Sequence, residues 1–346
     1  MSPEEMTARL EPFFAASAGA ETARIEGLRT LTGGAVRSAF ALDLHLEGAG
    51  VPALQELVLL AFRPGGASAF GAPEEFGLLE AVHDLGAPVP RPVYVGEEAL
   101  GRPFYVMQRV AGESIGRRIV TADSLAGARE RLPGQLAAAL AAIHRVDPTD
   151  PRLQFLPRPQ AGHTAADHTR RELDALYEMI RVEAHPVFDE AFRWLAENPP
   201  GGGGGGGGGG EALVHGDFRI GNVLVGEDGL EAVLDWELAH VGDPIEDLGW
   251  LCGRSWRFGV DEKTCGGVGD RQELLEAYSA ASGRDVSRKD LLYWEVFGNL
   301  RWGIFTLVQA RPFLDGQSRN IELGMIGRRV AETEWELLNL MEGKAL

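Results

Sequence analysis

Two short apolar runs joined by a tight turn, and framed by Asp217, Asn222 and Asp235, constrain this chain more than any other feature. His215 to Asn222 reads HGDFRIGN, and Leu234 to Glu237 reads LDWE. Asp217 precedes Asn222 by five positions, and Asp235 follows thirteen positions later. Asn222-Val223-Leu224-Val225 reads as a short buried strand, and Leu230 to Asp235 reads as another. Between them Asp228-Gly229 is the favoured two-residue hairpin turn, whose central residues take positive φ. That register sets Glu227 opposite Leu230 and Asn222 opposite Asp235, with Cβ atoms about 4.5–5.5 Å apart. Two hard oxygen donors then face one cation, and Asp217 waits in the loop just before them.

This order suits phosphoryl transfer. A carboxylate takes the proton of an acceptor hydroxyl, and oxygen ligands hold Mg2+ on a triphosphate. Asp217 is the expected base, and Asn222 and Asp235 are the expected metal ligands. Protein kinases use the same sequence of groups: a catalytic-loop Asp, an Asn on magnesium, then a metal-binding Asp.

The bulk numbers exclude several classes. A net charge of −18 argues against non-specific binding to nucleic acid or to an anionic membrane. The two cysteines, Cys252 and Cys265, give no disulfide framework and suit a reducing compartment. MSPEEMTARL has no apolar core like that of a leader, so a cytoplasmic location is expected. Leu291 to Val308 is interrupted by Glu295 and Arg301 and is too polar for a membrane span. A monomer or a homodimer is expected.

Along the chain, residues 3–18 read as a helix and 24–63 as β-structure. Pro73 to Leu85 reads as a helix stopped by Gly86, Pro88 and Pro90. Val93 to Val95 and Pro103 to Val110 read as strands. A small β-rich lobe with one helix therefore spans 1–110. Residues 111–346 form a mostly helical lobe carrying the hairpin, with helices over 124–146 and 165–198. The class is α+β. Gly201 to Gly210 is a flexible connector; no Lys-Ser or Lys-Thr follows it, so it is not a P-loop.

These motifs carry a resemblance. LTGGAVRSAF, LVHGDFRIGNVLV, AVLDWELAHVGDPIEDLGWL and LLYWEVFGNLRWGIF are similar to the aminoglycoside phosphotransferase superfamily. They are most similar to its kinase-like domains found fused to acyl-CoA dehydrogenases. The resemblance implies a two-lobed, protein-kinase-like fold with a small antiparallel sheet. It also implies use of ATP, with GTP open, and Mg2+ to phosphorylate a small-molecule hydroxyl, on an aminoglycoside-like compound or a metabolic alcohol such as a hydroxyacyl thioester. The roles of base and metal ligands fall on Asp217, Asn222 and Asp235; that of Glu237 stays open.

The resemblance places Gly33 and Gly34 in the loop over the triphosphate, although a Gly-Gly hairpin turn fits them equally. Glu75 matches the helix glutamate that pairs with the phosphate-binding cation; unaided, it reads as a solvated helix residue. Met107, Gln108 and Val110 match the hinge whose backbone meets the base, or else form an edge strand and turn. The cation is the departure, because Leu60 stands at its strand position. Arg63 is the candidate replacement if a bulge turns it inward, since strand parity puts it on the other face. Without that cation the chain would be a nucleotide-binding module with weak or no transferase activity.

Other constellations fail. A metallophosphoesterase reading of Asp43, His45 and Asp217 breaks at Ile220 and Val223. His163 and His168 lack the i, i+4 spacing of helical metal ligands. His144 reads as a packed helix residue, His215 as a brace of the loop, and Asp243 and Asp247 as cap and anchor of the next helix. Tyr293, Trp294, Phe297, Trp302 and Phe305 form a stripe that reads first as core.

Overall fold

A computed structural model describes residues 1–31, 37–48, 50–63, 69–201 and 210–344. Gly33 and Gly34, and residues 202–209 of the glycine run, lie outside the described residues. The chain divides into two compact units. The first comprises Met1–Gly112 with two later segments, Thr149–Phe155 and Glu231–Leu238. The second comprises Glu113–Pro148, Leu156–Leu230 and Ala239–Leu346. A single cut after residue 110 therefore misses two pieces of the first unit.

The first unit opens with α1 (Pro3–Ala18). A capping box starts it, with Ser2 and Glu5 exchanging side-chain and backbone hydrogen bonds, and Gly19 ends it at φ 62°. Met6, Leu10 and Phe14, four apart, form its buried stripe. Five antiparallel strands follow: β1 (Thr22–Leu31), β2 (Arg37–Glu47), β3 (Leu54–Phe62), β4 (Pro92–Gly96) and β5 (Phe104–Gln108), in the order β1-β2-β3-β5-β4. Helix α2 (Ala72–Asp84) lies between β3 and β4 in sequence. Both helices lie where the sequence placed them, over 3–18 and from Pro73 to Leu85; the expectation of a lobe with one helix left α1 out of the count.

Strand alternation gives the sheet two unlike faces. Leu42, Leu44, Leu46, Leu57, Leu59, Phe104 and Val106 join the α1 stripe in one core. The other face carries Arg37, Ala39 and Ala41 of β2, Val58, Leu60 and Phe62 of β3, and Tyr105 and Met107 of β5, aligned by register. The later segments attach through specific bonds. The Val233 amide donates to the Pro88 carbonyl at 2.7 Å, and Arg152 meets Asp84 at 2.7 Å.

The second unit is helical: α3 (Gly116–Thr121), α4 (Ala126–Ile143), α5 (Ala165–Ile180), α6 (Pro186–Glu197), α7 (Ile245–Cys252), α8 (Arg271–Ser282), α9 (Arg288–Leu314), α10 (Ile321–Ile326) and α11 (Val330–Met341). The helix expected over 165–198 is split between α5 and α6. Helix α9, of 27 residues, buries Tyr293, Trp294 and Phe297, so that part of the aromatic stripe is core, while Trp302 and Phe305 are half-buried. Helix α7 approaches α9 closely at Gly249, where any side chain would meet the backbone of Trp294. Short strands β6 (Ala212–Val214) and β9 (His240–Gly242) pair antiparallel. Strands β7 (Val223–Gly226) and β8 (Gly229–Val233) form the expected hairpin. No described helix is long and apolar enough to cross a membrane.

The hairpin turn differs from expectation. Glu227 and Asp228 make it, one residue early, and neither has positive φ; Gly229 does, at 114°. Asn222 ends a 3-10 turn before β7, and Asp235 lies beyond β8. The expected ladder pairing of Asn222 with Asp235 therefore does not follow from this turn.

Candidate active site

In the second unit, β6 delivers the chain into the loop His215–Asn222. Alternate residues anchor that loop: Phe218 and Ile220 are fully buried, leaving Asp217 and Arg219 on the opposite side. Asp247, from the first turn of α7, holds the loop's start. Its carboxylate accepts the amides of His215 at 2.8 Å and Gly216 at 2.9 Å. His144 Nε2 lies 3.1 Å from Asp247, and His144 Nδ1 lies 2.8 Å from the Tyr278 hydroxyl. Burial pushes the Asp247 carboxyl up, but His144 and the His215 amide outweigh it and hold the group below its ordinary value. Arg301 of α9 donates to the Gly216 carbonyl and, at 2.6 Å, to Glu246. Its guanidinium lies 4.2 Å from the centre of the Trp250 ring. Asp247 is thus the anchor expected, and Asp243, just ahead of the Pro244 N-cap of α7, accepts the Ile245 amide at 2.9 Å.

Three side chains fix the Asp217 carboxylate. Trp250 Nε1 donates to Oδ1 at 2.7 Å. Arg219 Nε donates to Oδ1 at 3.0 Å and to Oδ2 at 3.2 Å. Asn222 Nδ2 donates to Oδ2 at 2.6 Å and to the Asp217 carbonyl at 3.0 Å. An amide nitrogen has two hydrogens, so both are committed here. The Asn222 oxygen is left as the group that can ligate a cation, which fits its expected role. Arg219 in turn lies 4.8 Å from the Trp256 ring centre. Arg219 and Trp250 were not among the expected site residues. Arg219 could have been found from its place two residues after Asp217; Trp250 gave no signal beyond its proximity to Asp247.

In the first unit, Glu75 on α2 is almost fully buried and pairs with Arg37, the first residue of β2. Tyr105 also hydrogen-bonds Glu75. Burial pushes the Glu75 carboxyl up to about 7, against the pull of Arg37 and Tyr105. Asp235 lies 3.7 Å and Glu237 3.8 Å from Arg37. One guanidinium therefore faces three carboxylates. Asp235 has φ 66°, a region that aspartate enters more readily than most residues. Its carboxylate is half-exposed and makes no short bond to Arg37, so this hard oxygen donor fits a magnesium ligand.

Arg63 is not the partner expected for Glu75. It shares the sheet face of Ser38 and Ala61, as alternation requires, and its Nε donates to Ser38 at 3.3 Å. Met107 is paired with Val58 and Pro92, so its backbone lies within the sheet and its side chain on the face with Leu60. The Gln108 amide is spent on the Arg91 carbonyl at 2.8 Å. Of the three hinge residues expected to meet the base, Val110 alone lies outside the paired strand.

Comparison with known proteins locates this architecture. The phosphotransferase enzyme family profile matches residues 44–290. Acyl-CoA dehydrogenase family member 11 of Gallus gallus is 34% identical over 186 residues, covering 51% of this chain and 22% of that protein. The match therefore spans about a fifth of the length of such relatives. Viomycin phosphotransferase of Streptomyces vinaceus is 27% identical over 172 residues, 48% of this chain and 55% of its own. A solved structure of a candidate aminoglycoside phosphotransferase from Ralstonia eutropha superposes with TM-score 0.75 at 21% identity, over 97% of this chain and 98% of its own. A thermostable mutant of aminoglycoside phosphotransferase APH(4)-Ia, in ternary complex with AMP-PNP and hygromycin B, gives TM-score 0.60 at 16% identity, over 96% and 97%. The GDP complex of aminoglycoside 2'-phosphotransferase-IIIa gives 0.59 at 15% identity, over 98% of each chain. At these identities the likeness concerns the fold, which is α+β and kinase-like.

Proposed function

This chain belongs to the phosphotransferase enzyme family, and from that premise we propose that it moves the γ-phosphoryl group of ATP to a hydroxyl of a small molecule with Mg2+. GTP stays open as the donor, and an aminoglycoside-like compound or a metabolic alcohol such as a hydroxyacyl thioester as the acceptor. The observation that carries this reading is the Asp217 carboxylate, fixed by Trp250, Arg219 and Asn222. A carboxylate so oriented can accept the hydroxyl proton as the oxygen attacks phosphorus. Asn222, through its uncommitted oxygen, and Asp235 would hold the magnesium, which neutralises charge on the phosphates. Structural neighbours solved with AMP-PNP or GDP support a nucleotide donor, and hygromycin B in one of them supports a small-molecule acceptor.

The second reading, a nucleotide-binding module with weak or no transferase activity, is motivated by Leu60 at the strand position of the cation. The test is calorimetric titration of nucleotides with and without Mg2+, joined to ADP release across a panel of hydroxyl acceptors. Millimolar nucleotide without binding contradicts the proposal; binding without turnover across a broad panel favours the module.

A further inference from the structure

Leu60 leaves the β3 position without a cation, yet a cation stands on the same sheet face. Register places Leu60 opposite Ala39 on one side and Tyr105 on the other. Arg37 lies two residues from Ala39 and so shares its face. Diagonal neighbours of this kind are about 7–8 Å apart, within reach of a long side chain. Ala39, opposite Leu60, presents only a methyl group there. Arg63, just beyond the end of β3, is exposed and bonds Ser38 on the opposite face.

Arg37 keeps hydrogen-bonding capacity that its neighbours do not use. It is 9% exposed, and its Nε is buried without a hydrogen-bond partner. A buried donor left unpaired costs about 1–3 kcal/mol, so an acceptor oxygen delivered there is favoured. Nη2 is fixed by Glu75, while Asp235 and Glu237 approach no closer than 3.7 and 3.8 Å. The Phe62 ring, its centre 5.4 Å from the guanidinium carbon, backs the same group.

We propose that Arg37 is the cation that binds the nucleotide phosphates, supplied from the start of β2 in place of the β3 position occupied by Leu60. This rests on the nucleotide-dependent reading above. Arginine keeps its charge throughout the usual pH range and offers a planar donor fork to phosphate oxygens. Glu75 orients it, as a carboxylate pairs with an arginine fork.

The test compares Mg-ATP and adenosine binding by calorimetry in wild type, Arg37→Ala, Arg37→Lys, Arg63→Ala and the double variant Arg37→Ala/Leu60→Lys, with thermal melting of each. Arg37→Ala should weaken ATP binding by about tenfold to a hundredfold, the loss expected for charged hydrogen bonds, and leave adenosine binding unchanged. Arg37→Lys should retain part of the affinity, since it keeps the charge but not the fork, the double variant should recover much of the loss, and Arg63→Ala should bind as wild type. If Arg37→Ala does not fold, Arg37→Lys and the double variant decide: failure of both to bind ATP while folded overturns the proposal. Equal losses for ATP and adenosine, or an ATP-specific loss in Arg63→Ala alone, also overturn it. Wild type that binds no nucleotide instead overturns the functional reading, and this inference with it.

Discussion

Asp217 takes its orientation from three donors, one of them the buried Trp250 indole. Trp250→Phe removes the Nε1 donor and keeps an aromatic ring beneath Arg301. A hydrogen bond to a charged group contributes about 1.5–3 kcal/mol, so kcat should fall at least tenfold with Mg-nucleotide affinity nearly unchanged; an unaltered kcat would mean Trp250 does not position the base. Asp247 acts one step behind. Its folded-state value is depressed, so its contribution is present above the ordinary carboxylate value and is lost as pH falls through the depressed one. Asp247→Asn should cost about 3–5 kcal/mol at neutral pH, the usual effect of breaking a buried charged network. It should also lose less stability than wild type as pH falls below about 4. Urea unfolding from pH 2 to 7 checks both, and equal stability at pH 7 would contradict the anchor role. At this scale the site was partly legible. Asp217, Asn222 and Asp235 stand out by type and spacing, and Asp247 by its place in the first turn of a helix. Arg37 escaped notice although LTGGAVRSAF contains it, because which residue of β2 lies beside Leu60 depends on a pairing that no local pattern reveals.

The hairpin shows the same limit for an element. Two strands around a turn were legible, and the positive φ at Gly229 agrees with a glycine there. The turn falls one residue earlier than expected, where α4 clamps it from outside the hairpin. Gln135 accepts the Leu230 amide at 2.9 Å and donates to the Asp228 carbonyl at 3.1 Å, and Arg131 donates to the Glu227 carbonyl at 2.7 Å. A side chain at Gly229 would run into Gln135 as well as strain φ 114°. Gly229→Ala should therefore destabilise the protein by about 1–3 kcal/mol. Chemical unfolding measures this, and a change below a few tenths of a kcal/mol would show that the clamp yields. Helices α1 and α2 were easier to read, because caps, terminal glycines and prolines write their ends into the local sequence.

For the whole molecule, the α+β class and the order of β-rich and helical regions were legible from periodicity. The discontinuous first unit was not: Thr149–Phe155 and Glu231–Leu238 join it through bonds to Asp84 and Pro88, residues remote in sequence. The net charge of −18 likewise says little about local charge: Arg37 pairs with Glu75 in the first unit, while in the second Arg219 meets Asp217 and Arg301 donates to the Gly216 carbonyl. The most direct test of the proposed activity separates its two chemical roles. With an acceptor in hand, kcat and magnesium dependence are measured for Asp217→Asn and Asp235→Asn, with circular dichroism to establish folding. Asp217→Asn should lower kcat by about 10²–10⁴, the contribution of a positioned base, and leave Mg-nucleotide affinity nearly intact. Asp235→Asn should raise the magnesium concentration needed for half-maximal rate, because a charged oxygen ligand is lost. Near-normal kcat in Asp217→Asn, or unchanged magnesium dependence in Asp235→Asn, would contradict the account.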